Sequence, residues 1–107
     1  MSRLKTKHSY HDADIASVSF EQDGGVVFEI RLCGCSDLPG ATVHLAFYRV
    51  RNIAAVKKFT NQLKASSDRC EGRLAEIIGF SRDDDRRFVL GLDRGSLYLD
   101  AGGFTET

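Results

Sequence analysis

Cys33-Gly34-Cys35 places two thiols where one soft metal ion could meet both. Structural zinc sites usually leave about two to four residues between paired cysteines and add a second ligand pair. Cys70 and His44 could serve as third and fourth ligands, but no spacing links them to the pair. A disulfide across so short a loop would be strained. The plainer expectation is reduced thiols at a strand end, with no metal and no cofactor. A second cluster, His8-Ser9-Tyr10-His11-Asp12-Ala13-Asp14, gathers imidazoles and carboxylates. Such groups can hold a metal or relay a proton. In an extended chain His8 and His11 face opposite ways and cannot chelate together. The plainer expectation is a turn hydrogen bond ahead of the first strand. A ligand-binding or enzymatic alternative would need His11, Asp12 and His44 around one pocket.

Asp83-Asp84-Asp85, between Arg82 and Arg86-Arg87, is the third candidate. Calcium loops draw oxygens from alternating positions and close with a glutamate, and that pattern is missing. The flanking arginines would repel a cation, so a solvated hairpin tip is expected. No P-loop, G-x-G-x-x-G, G-x-S-x-G or H-E-x-x-H motif occurs, and no residue set identifies a reaction. The chain is therefore expected not to be an enzyme.

Charge is more informative. Lys plus Arg and Asp plus Glu both number 15, so the formal net charge is zero. The basic residues are nonetheless concentrated. Arg49, Arg51, Lys57, Lys58, Lys64, Arg69 and Arg73 fall in one segment whose only acids are Asp68 and Glu71. This block, or the acidic Asp83, Asp84 and Asp85, could meet an oppositely charged protein partner. Use of the basic segment 49–73 on single-stranded nucleic acid is a further alternative. Overall neutrality and few exposed aromatic candidates beside the lysines count against it.

The elements that must carry these groups are written in the hydrophobic period. Val26, Phe28, Ile30 and Leu32 alternate with Val27, Glu29, Arg31 and Cys33, the mark of a strand with one buried face. Ala16, Val18 and Phe20 alternate with Ser17, Ser19 and Glu21 before it; Val43, Leu45 and Phe47 alternate with His44, Ala46 and Tyr48 after it. Asp23-Gly24-Gly25 supplies a tight hairpin. The period then changes. Ile53, Val56, Phe59, Thr60 and Leu63 form a helical stripe, and Asn52 can cap it, predicting an amphipathic helix from Ile53 to about Ala65. Leu74–Phe80, Phe88–Leu92 and Leu97–Ala101 complete the strands. The expected fold is α+β: an antiparallel meander of about six strands with one helix packed on one face. It forms a single domain over 1–107, with a flexible lead-in at 1–11 and a fraying tail at 102–107. The expected core is Val18, Phe20, Phe28, Ile30, Leu32, Val43, Leu45, Phe47, Phe88, Leu90 and Leu99.

The run Tyr10-His11-Asp12-Ala13-Asp14-Ile15-Ala16-Ser17-Val18 resembles small bacterial proteins that open on "HDA-x-I-x-S-V" and continue as a β-rich meander. Some of these look like immunity proteins of polymorphic and contact-dependent toxin systems. The likeness extends loosely through Val43-His44-Leu45-Ala46-Phe47 and Val50-Arg51-Asn52-Ile53. It implies an inhibitor that binds a cognate toxin, and no catalytic residue. In such proteins the middle stretch often reads as strand, which competes with the helical period at 53–65. An odd cysteine count and a start without an apolar run lead to the expectation of a cytoplasmic protein. No run approaches the ~20 apolar residues of a membrane span.

Overall fold

Why the alternating segments pair as they do is seen in a computed structural model, which describes residue 6 and residues 10–32, 41–66, 74–83 and 87–107. β1 (Asp14–Phe20), β2 (Val26–Arg31) and β3 (Thr42–Tyr48) form the first meander. Gly24 turns the β1–β2 hairpin with φ 89°, a conformation open to glycine. Asp23 helps by accepting from the Gly25 N–H at 3.2 Å. After α1 (Ile53–Ser66), β4 (Ala75–Arg82), β5 (Phe88–Leu92) and β6 (Gly95–Leu99) form a second meander, and β7 (Gly103–Glu106) closes the chain. All seven strands are antiparallel, in the order β6-β5-β4-β1-β2-β3-β7.

The α+β architecture and the helix are as the sequence indicates, but four details differ. The strands number seven among the described residues, and β1 pairs with β4 at Asp14↔Glu76 and Ile15↔Ala75 to join the two meanders. The tail expected to fray is β7, registered on β3 from Leu45↔Glu106 to Tyr48↔Gly103. Tyr10, assigned to the lead-in, is 4 % exposed. In β1 a register shift between Ile15 and Ser17 resets the alternation. Ile15 is therefore buried in place of Ala16, while Val18 is buried and Phe20 packs half-buried against the core. A bulge adds one residue to one strand, which moves every earlier side chain to the other face.

The sheet curls until its distant strands meet inside. Phe104 of β7 lies 5.3 Å from Phe80 of β4 and 5.4 Å from Phe88 of β5, between ring centroids. Phe47 sits among them, also touching Phe28. Edge-to-face contacts of this kind add modestly to the area each ring buries.

The helix lies along β6. Val56, Thr60 and Leu63 are buried, and the Thr60 hydroxyl donates to the Val56 carbonyl at 2.9 Å, which satisfies it. Gly95, at φ 130°, lies under the Phe59 ring, 3.8 Å from where a Cβ would stand. Asn52 does not cap the helix with its side chain. Its Oδ1 accepts from the Asp100 N–H at 2.9 Å and its Nδ2 donates to the Tyr98 carbonyl at 2.8 Å. The amide thus pairs with the outer edge of β6, where unpaired backbone groups would otherwise remain.

Tyr10 donates to Glu106 at 2.5 Å, joining the chain ahead of β1 to β7. Burial, then this hydrogen bond, then the Glu106 charge raise its hydroxyl well above the ordinary 10.0. A tyrosine held neutral in the fold but free to ionise when unfolded stabilises fully below pH ~10. That contribution is lost progressively as pH rises further. An alkaline titration of stability should therefore fall beyond pH ~10, and Tyr10→Phe should remove that part of the fall. An identical alkaline profile in both proteins would show that Tyr10 ionises freely in the fold.

Candidate protein-interaction surface

The lysines read from the sequence share one rigid element. Lys57, Lys58 and Lys64 are all exposed on α1, whose sequence from Ile53 to Ser66 contains no acid. Lys57 reaches back toward β1, its Nζ 5.4 Å from the centroid of the Phe20 ring. This contact orders the stem and leaves the charge near water. Lys58 points away from the buried stripe of Val56, Thr60 and Leu63, one helical turn from Ala55. Lys64 falls in the last turn, where a cation suits the helix dipole.

The remaining candidates are dispersed. Arg49 is exposed in the turn after β3, at φ 55°. Arg51 donates to Asp100 at 3.2 Å in an exposed pair, so its charge is partly neutralised. Arg69, Arg73, Asp84 and Asp85 lie outside the described residues. Asp83 is not a solvated tip. It accepts from the Arg87 backbone N–H at 2.9 Å, from Nε at 3.0 Å and from Nη2 at 2.9 Å. Those bonds close the β4–β5 hairpin, so Asp83 serves the fold.

The imidazoles do not converge. The His11 Nδ1–H donates to the Ile78 carbonyl at 2.7 Å, tying the turn before β1 to β4. Asp12 stands beside it, 3.7 Å from Nε2. His44 is on β3, where Glu29 is 3.8 Å away. The register aligns His44 with Glu29 and Glu29 with Ser17. His44 is therefore two strands, ~10 Å, and about five residues, ~17 Å, from Asp12. None of His11, Asp12 and His44 lines either concavity on the second meander.

Cys33, Cys35 and Cys70 lie outside the described residues. Among the described residues no group of three metal-ligating side chains forms. Chelator treatment should leave the melting transition in place. Stoichiometric zinc with unfolding on chelation would contradict this.

One feature has little trace in the sequence. On the outer face of the second meander, Ile78, Gly79, Ser81, Val89, Gly91, Ser96 and Tyr98 line a groove of about 480 Å³ that ends at Asp83 and Arg87. Its floor is low because Gly79 pairs with Gly91, and Gly91 with Ser96. The Arg87 guanidinium stacks on Tyr98, 4.8 Å from the ring centroid, which fixes one wall. Small residues on an outer strand face are the available sequence signal, but only the register brings them side by side.

No helix among the described residues is long and apolar enough to cross a membrane. Comparison with protein-family models, with curated proteins and with solved structures gives no match.

Proposed function

We propose that this protein does no chemistry of its own and acts by binding another protein, as a cytoplasmic immunity-type inhibitor of a cognate bacterial toxin. The observation that carries the binding role is α1. It presents three exposed lysines and no acid, on a chain of zero net charge, from a helix fixed to the sheet. An inhibitor of this kind blocks its target by occupying it, and needs only a rigid complementary surface. Lysines at the rim would steer an acidic partner and set the association rate. The Tyr10–Val18 opening favours the immunity form of the role. The separation of His11 and Asp12 from His44 counts against the enzymatic alternative.

The test is capture from the native host with mass spectrometry, followed by co-expression with the captured partner. The expected partner is a toxin whose growth arrest this chain relieves. A captured partner without toxicity would end the immunity reading. Turnover of a small molecule by the purified chain would end the non-enzymatic one.

A further inference from the structure

The groove on the second meander does not stop at β6. A smaller hollow of about 260 Å³ lies between Leu97 of β6 and Asn52, Ala55 and Phe59 of α1. Arg87, Ser96 and Tyr98 line both spaces, so the two form one trough from β4 to the helix. Two of the large apolar side chains that the fold leaves in water stand on its rim: Ile78 at 53 % and Tyr98 at 43 % exposure. Exposed apolar groups gathered around one concavity favour an apolar occupant. The charges outside the hollow are of one kind along α1, where Lys58 stands one turn from Ala55. Asp83, the carboxylate at the far end, is already engaged by Arg87.

Resting on the protein-binding role, we propose that this trough takes an apolar side chain from an acidic protein segment. The anchor fills the space between Ile78 and Tyr98, and a neighbouring carboxylate lies against Lys58 of α1, the lysine one turn from Ala55. A free small molecule fits less well. The apolar hollow and the cations occupy different stretches of the surface, so the matching groups must be carried along one chain.

The test is a two-dimensional amide NMR titration of the whole protein with a capped pentapeptide, one phenylalanine flanked on each side by two aspartates. Two controls replace the phenylalanine with alanine or the aspartates with lysines. The expected result is saturable shifts at Gly79, Gly91, Ser96 and along α1. Each control should weaken binding by about tenfold or more. Gly91→Val fills the trough without forcing the fold, since a Cβ there meets only Gly79 backbone atoms at 3.7–3.8 Å, an ordinary contact. It should abolish the shifts at Gly79 and Ser96 and keep the melting transition. Shifts along α1 with Gly79, Gly91 and Ser96 unmoved would overturn the anchor proposal and leave the basic helix as the binding surface. Equal shifts by the lysine control would overturn the acidic partner. No shifts by any peptide would overturn the anchor, while the role of α1 would still be judged separately by partner capture.

Discussion

Phe47→Ala should destabilise the protein by about 3–5 kcal/mol, the range for emptying an aromatic site in a core. Phe47 is 1 % exposed. Its ring lies 5.5–5.9 Å from those of Phe28, Phe80, Phe88 and Phe104, which come from β2, β4, β5 and β7. The cavity would open where the two meanders face each other, and no single neighbour could swing in from all four strands. Such a loss is a large part of the ~5–15 kcal/mol that usually holds a domain together. Chemical denaturation monitored by circular dichroism measures it. A loss below ~1 kcal/mol would mean that the curl of the sheet does not bring these rings together.

The second large effect concerns β7. A chain ending at Gly102 should lose ~3 kcal/mol or more. It would forfeit the ladder on β3, the Phe104 contacts with Phe47, Phe80 and Phe88, and the acceptor of the Tyr10 hydroxyl. Phe104→Ala alone should reproduce part of that loss, ~2–3 kcal/mol, the lower value following from Phe104 being only half-buried. Melting of the truncated chain within ~0.5 kcal/mol of the intact one would show that the tail does frayed duty only.

These two residues mark what the sequence can and cannot convey. Phe47 is legible because β2 and β3 pair without interruption, from Val26↔Phe47 to Arg31↔Thr42, so strict alternation translates directly into burial. Phe28, Ile30, Val43 and Leu45 follow the same logic and are all buried. Phe104 is not legible, because Gly102-Gly103 ahead of it reads as a loose end and its partner strand is far away in the chain. Local composition does not encode a pairing of that separation. Val18 and Phe20 lie on the core side of β1 as the alternation indicates, but Ile15 replaces Ala16 there because one inserted residue between Ile15 and Ser17 breaks the period of two.

At the surface the division is similar. The cations of α1 are legible, since a helical stripe of Val56, Thr60 and Leu63 fixes which side Lys58 must take. Asp83 reads as one of three adjacent acids, whereas its role comes from Arg87 meeting it across the hairpin. Asn52 reads as a cap, but the nearby edge of β6 offers its amide both a donor and an acceptor at once. The groove depends on Gly79, Gly91 and Ser96 lying abreast on three strands, which is a property of register.

On the proposed role, α1 brings an acidic protein partner onto this surface. Charge reversal at Lys57, Lys58 and Lys64 tests it most directly, with association to the captured partner followed by surface-based kinetics at low and high salt. Rim charges act mainly through long-range steering, which salt screens over ~8–10 Å. The reversed variant should associate about tenfold or more slowly at low salt, converge toward the unaltered protein at high salt, and keep a cooperative melting transition lowered only slightly by loss of the Lys57–Phe20 contact and the Lys64 charge at the helix end. An association rate unchanged at low salt, with the melting transition intact, would contradict the claim and move the interface away from the helix.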